Sequence, residues 1–217
     1  MQPEGHRAIV RAGAARAGAL ALLPELLRGN DDEDVHIVPL LGLRLQAAGL
    51  THTHRPGSSR GELFAPSAGV CCVKWVERSR AAKSPAEGAY FLGRACHLLV
   101  DVAVPARSRG VWHFYGDPLE SWVEEHVAEI GTMPVAKAPP YAGPAALADA
   151  LARLSSSYPV DTTRSTWGSW AMRLTGRGRR VSPEEAGEQA RALVPAAIAY
   201  VETLLRAELG DRAHAPR

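Results

Sequence analysis

The sequence predicts an all-α protein, and three observations predict it. Apolar residues recur at spacings of three and four over several long stretches. No segment alternates apolar and polar residues for a useful length. Proline, serine, aspartate and glycine fall where helices start and stop. With 217 residues, 46% of them apolar, the chain is long enough for one real core, and a single helical unit over residues 1–217 is expected.

Taken in order, residues 6–28 read as one helix, with Ile9, Val10, Leu20, Leu22, Leu23, Leu26 and Leu27 on its apolar face. Gly29-Asn30 reads as its stop. The acidic run 31–34 reads as a loop or a helix start. Residues 35–50 are apolar and read as a second helix, broken near Pro39. Residues 52–66 carry the Pro, Gly and Ser of a loop. Two helices follow, over 67–80 and 85–104, and Pro105 ends the second. Residues 106–118 read as a loop, and Asp117-Pro118 as the cap and first residue of a helix to about residue 130. A Pro-rich linker at 133–144 leads into a helix over 145–154. Residues 155–182 are polar and rich in Arg and Gly, which suits a long loop. Ser182-Pro183-Glu184-Glu185 then opens a final helix to about residue 209.

Composition narrows the function. Lys plus Arg number 25 against 23 Asp plus Glu, a formal charge of +2, which argues against a nucleic-acid partner. Three cysteines, two of them adjacent at Cys71 and Cys72, make no disulfide framework and suit a reducing compartment. No stretch reaches the ~20 apolar residues of a membrane span, and the apolar run 17–23 lacks a small-residue cleavage site, so a cytoplasmic location is expected. The high Ala, Gly and Arg content suits a GC-rich bacterial source. Eight histidines against three cysteines indicate that a bound metal would take imidazole and carboxylate, not thiolate.

The strongest local signal is His97-Leu-Leu-Val-Asp101 inside a predicted helix. Residues four apart share a face, so one imidazole and one carboxylate point the same way. Helical metal centres are assembled in this manner. The surrounding sequence runs from Ala89-Tyr-Phe-Leu-Gly through His97 and Asp101 to Pro105, then His113, then Gly116-Asp117-Pro118-Leu119-Glu120. It resembles the core of the zinc-dependent phospholipase C and single-strand-specific nuclease superfamily. The resemblance extends outward in order to Gly5-His6, Glu33-Asp34 and His52-Thr-His-Arg-Pro56, covering about residues 5–125.

That resemblance implies a helical fold holding one to three Zn2+ ions. The first would take Asp34, His52 and His97 with Asp101, and His54 is a rival for His52. The second would take His113 and Glu120. The third would take His6 and share Asp101. It also implies hydrolysis of a phosphate ester through a metal-activated water, with Asp34 or Asp101 as general base. Two departures stand out. Arg107 occupies a position where the family usually has a histidine ligand, and an arginine cannot ligate zinc, although its planar fork suits a phosphate. The family's trimmed N-terminal Trp is also missing, and the Met1 amine, five residues before His6, is the available substitute.

Three functions follow. The first is a zinc-dependent hydrolase of a small, soluble, anionic phosphate ester, with Asp34, Asp101 and Arg107 as its catalytic groups. The second is a biosynthetic enzyme that uses a remodelled zinc site as a Lewis acid for lyase or cyclase chemistry. The third is a non-catalytic metal-binding descendant.

Overall fold

The computed structural model describes residues 3–35, 37–40, 43–46, 50–61, 65–111, 117–134, 136–137, 140–162 and 179–210. Helix α1 spans Pro3–Arg16, a 3-10 turn covers Leu20–Leu22, and α2 spans Leu23–Asp34. The single helix expected over 6–28 is therefore two. Gly18, at φ 72°, takes a left-handed conformation just past the end of α1. Pro24 then restarts the chain in the first turn of α2.

Gly29-Asn30 does not stop α2. A Cβ on Gly29 would sit 1.9 Å from the Tyr90 carbonyl oxygen, and one on Gly93 would sit 2.0 Å from the Leu26 carbonyl oxygen. The two glycines let α2 and α4 (Pro85–Val102) touch backbone to backbone. The acidic run consequently closes α2 instead of opening an element. Its four carboxylates lie at the negative end of the helix dipole, an unfavourable position that each must offset with a partner.

The second helix expected over 35–50 is an antiparallel hairpin. Strands β1 (Ile37–Leu40) and β2 (Leu43–Gln46) pair Ile37 with Gln46 and Leu40 with Leu43. Pro39 lacks the N–H that a helix interior needs, and β-branched Ile37 and Val38 favour extended backbone.

Helix α3 (Ala68–Arg80) and α4 match expectation, each capped by a serine, Ser67 and Ser84. The loop expected from 106 begins instead with a short helix, α5 (Pro105–Arg109), closed by Gly110 at φ 64°. The helix expected from 118 to 130 is broken at His126 into α6 (Pro118–Glu125) and α7 (Val127–Ile130). Helix α8 spans Pro144–Ser155. The last helix, α9, spans Pro183–Gly210 and carries Pro195 inside it. Ser182 and Glu185 form a reciprocal capping box at its start, at 3.2 and 3.1 Å. Residues 156–162 and 179–182 are non-helical, as expected of that loop, whose middle, 163–178, lies outside the described residues.

Helix α4 is the centre of the core. Leu92, Leu98, Leu99, Val100 and Val102 are fully buried, with α2, α3, α8 and α9 packed around them. Helix α1 lies along α9, and Glu208 of α9 takes a two-pronged bond from Arg80 of α3 at 2.9 and 2.7 Å. The all-α class holds, with the hairpin as an appendage. Among the described residues, no helix is long and apolar enough to cross a membrane.

Candidate metal centre

Four segments bring their polar side chains to one buried point. Helix α4 contributes His97 and Asp101, each 1% exposed, four residues apart on one face. Helix α1 contributes His6 from its first turn. The last residues of α2 contribute Glu33 and Asp34. The segment after the hairpin contributes His52, which is completely buried. That segment is held on both sides of His52's neighbours: Ala68 N donates to Thr53 O at 3.0 Å, and His54 N donates to Arg107 O at 3.1 Å.

The acidic end of α2 is sorted residue by residue. Arg7 donates to Asp31 at 2.7 Å, Tyr90 donates to Asp32 at 2.9 Å, and Arg94 donates to Glu33 at 2.6 Å. Asp34 turns to the histidines, with its Oδ1 3.3 Å from His97 Nε2 and 4.0 Å from His52 Nδ1. Asp101 Oδ2 lies 3.4 Å from His97 Nε2 and 2.5 Å from His52 Nδ1. Ligand atoms around a tetrahedral zinc at 2.0–2.1 Å would stand about 3.3 Å apart, and these four separations fall on both sides of that value.

The hydrogen bonding agrees with the spacing. His52 Nδ1, His52 Nε2, His97 Nε2, Asp101 Oδ2 and His6 Nε2 are buried and make no aligned hydrogen bond. Leaving so many buried polar atoms unmet costs about 1–3 kcal/mol each. A cation would satisfy one nitrogen of each ring and a carboxylate oxygen, and two overlapping groups, Asp34–His52–His97 and His6–His97–Asp101, could hold one. In the second group His6 Nδ1 is 3.0 Å from His97 Nδ1, and His6 Nε2 is 3.4 Å from Asp101 Oδ1. Asp101 thus sets Oδ2 against His52 and His97 and Oδ1 against His6.

Charge is strongly coupled here. Burial, and then the neighbouring His97, push the His6 imidazole down to about 4. Burial pulls His97 the same way, but Asp101 and Asp34 outweigh it and hold that ring up at about 10. Asp34 stays below the usual carboxylate range against its burial, because His97 pairs with it. Asp101 lies well below that range: burial opposes its charge, and His52 and Arg107 overcome it.

The residues beyond Asp101 form a second patch. Arg107 on α5 is held charged against its burial by Asp101, Glu120, Asp34 and Asp117. Glu120 is half-buried on α6, and among the described residues it joins neither metal-capable group. Asp117 was read only as a helix cap, and it does accept from Leu119 N at 2.8 Å. Burial and the nearby Glu120 also push its carboxyl up to about 7, which nothing in the sequence signals. His113 and Met1 lie outside the described residues.

His54 is not an alternative to His52. Its Nε2 pairs with Asp149 Oδ1 at 2.7 Å and its Nδ1 with Ser67 Oγ at 3.0 Å. These are the distances of a nucleophilic triad, but Ser67 is completely buried, caps α3 and donates to Ser58 O at 3.0 Å. The group is a latch that fixes the His52 segment to α3 and α8. The three cysteines are free, and burial pushes the Cys72 and Cys96 thiols up, in keeping with packing roles.

Fold and cluster together define a helical protein with a buried histidine–carboxylate centre able to hold a metal ion. No family model and no curated protein matches the sequence. Among solved structures it is similar to the alpha toxin from Clostridium absonum, at 13% identity and TM-score 0.65, over 100% of this chain and 67% of that one. It is also similar to the alpha-toxin from an avian strain of Clostridium perfringens, at 10% identity and TM-score 0.62, over 96% of this chain and 58% of that one. At these identities the likeness establishes the shared fold.

Proposed function

We propose that this chain is a metal-dependent hydrolase of a small phosphate ester. Zinc would be held by Asp34, His52, His97 and Asp101, and His6 with Asp101 could hold a further ion. The observation that carries the reading is the set of buried, unbonded nitrogens and oxygens, His52 Nδ1, His97 Nε2, Asp101 Oδ2 and His6 Nε2, gathered between α1, α2, α4 and the His52 segment. The shared fold with the alpha-toxins supports it, as does the resemblance of residues 5–125 to zinc-dependent phospholipases C. Bound zinc would supply Lewis acidity and lower the pKa of water toward neutrality.

The chain's own groups supply the rest. Asp34, the most accessible of the cluster at 38% side-chain exposure, stands where water reaches the centre and accepts the proton of the attacking water. Asp101 is sealed and keeps its charge, so it orients His52 and His97 instead of exchanging protons with solvent. Arg107 is fixed in its charged form beside the cluster, and its fork stabilises the negative charge that builds on the phosphoryl oxygens. A net charge of only +2 favours a small anionic substrate over a nucleic-acid strand.

The test has two parts. Protein purified without chelators should carry at least one zinc per chain, and Asp101→Ala should lose it. Unchanged zinc in that variant refutes the assignment of the centre. The zinc-loaded protein should then hydrolyse members of a panel of phosphomonoesters and phosphodiesters. Inertness across the panel removes phosphoryl chemistry and leaves the lyase or cyclase reading and the non-catalytic one.

A further inference from the structure

The four carboxylates at the end of α2 do not all serve one purpose, and Glu33 has a position the others lack. It is 1% exposed. Its Oε2 accepts from Arg94 Nε at 2.6 Å. Its Oε1 lies 3.9 Å from His52 Nε2, the ring nitrogen on the far side from the metal centre. Arg94 is itself immobilised, with its guanidinium carbon 3.9 Å over the Trp75 ring and an NH2 reaching the Asp32 carbonyl at 3.5 Å. Trp75 is in turn stacked on Phe91 at 6.0 Å and 8°.

From this geometry we infer that Glu33 is a positioning residue for His52: it accepts a hydrogen bond from Nε2–H and so leaves the Nδ1 lone pair free to ligate. The inference rests on the metal centre proposed above. A neutral imidazole has one N–H and one lone pair, and the partner of the N–H decides which nitrogen can bind a metal. His52 Nδ1 faces Asp34 and Asp101; for that nitrogen to offer its lone pair to a metal held with those carboxylates, the ring proton must reside on Nε2. His52 is completely buried, and Glu33 is the carboxylate facing Nε2. The 3.9 Å separation is about 1.1 Å longer than a charge-assisted hydrogen bond of about 2.8 Å, and the proposal requires Glu33 and the ring to close it together when the metal is bound. A buried carboxylate at the negative end of a helix is costly. Arg94 meets one of its oxygens, and the His52 N–H gives the second a purpose.

Glu33→Gln tests this with little change of shape. Arg94 can only donate, so the amide must turn its oxygen to Arg94 and its NH2 to His52. Two donors then face each other, the proton is driven to Nδ1, and the ligating lone pair is lost. The expected result is a fall of about tenfold to a hundredfold in zinc affinity, read by competition with a chromogenic chelator. The same substitution in a His52→Ala background should change zinc affinity no further, whereas a merely structural role would lower it in both backgrounds. If Glu33→Gln does not fold, Glu33→Asp keeps the charge on Arg94, shortens the reach to His52, and should show the same loss. Wild-type protein that takes up no zinc refutes the metal centre itself. Wild-type protein that binds zinc while Glu33→Gln binds it equally well refutes the role of Glu33 and leaves the centre standing.

Discussion

Gly29→Ala should damage the metal centre without touching it. The added Cβ would fall 1.9 Å from the Tyr90 carbonyl oxygen, whereas real Cβ atoms essentially never come within 3.0 Å, so α2 and α4 must part by about 1.1 Å at that level. The obstructing atom is backbone, so no side chain can swing aside. Overpacking of this kind costs about 1–3 kcal/mol. In a domain of this size each kcal/mol lowers Tm by roughly 2–4 °C, which gives an expected fall of about 2–12 °C. Asp34 rides on α2 and His97 on α4, 3.3 Å apart across that same contact. Metal bonds tolerate about 0.2 Å, so a shift of that size should also weaken zinc binding at least tenfold. Calorimetry gives the first quantity and chelator competition the second. Gly131→Ala, where nothing lies within 4 Å of the added Cβ, is the control and should change neither. A Gly29→Ala protein with the Tm and zinc affinity of the wild type would falsify the view that helix approach sets the spacing of the centre.

Two other substitutions probe separate parts of the chain. Asp149 is held below the usual carboxylate range: burial opposes its charge, and the Gly57 N–H and His54 overcome it. A depressed folded pKa contributes stability that is fully present above the unfolded value of about 3.9 and is lost as pH falls through the folded one. Asp149→Asn should therefore lower Tm at neutral pH, with the deficit shrinking below about pH 4. A deficit that is independent of pH over that range counts against the latch. Arg107→Gln should leave zinc content unchanged, since arginine ligates nothing, yet weaken inhibition by inorganic phosphate about tenfold. Unaltered phosphate inhibition would remove Arg107 from substrate binding.

Much of the scaffold was legible because its signals are local. Ser67, Ser84 and Ser182 cap their helices through the next turn, and the apolar stripe of 85–104 fixes which face of α4 is buried. The failures share one cause. Gly29 carries the signature of a helix stop, but its lack of a side chain serves contact with Tyr90, a residue 61 positions away. The run 35–50 has the apolar content of a helix, and pairing between its own halves made it a hairpin.

The centre divides along the same line. His97 and Asp101 could be placed together from sequence because the helical period of 3.6 residues puts positions four apart on one face. His6, Asp34 and His52 were candidates only through the order of motifs in a resemblance, and the docking of α1, α2 and the His52 segment onto α4 is what brings them within reach. The partner of Glu33, the separation of His52 from His54, and the proton-retaining environment of Asp117 had no sequence signal at all. The sequence thus carried most of the helices, several of their caps and the one candidate ligand pair that a single helix holds. Only the tertiary structure decided which remote side chains share that pair's buried pocket and which are turned elsewhere. Helical periodicity is fixed by the backbone, whereas contacts between distant segments depend on how closely whole elements can pack.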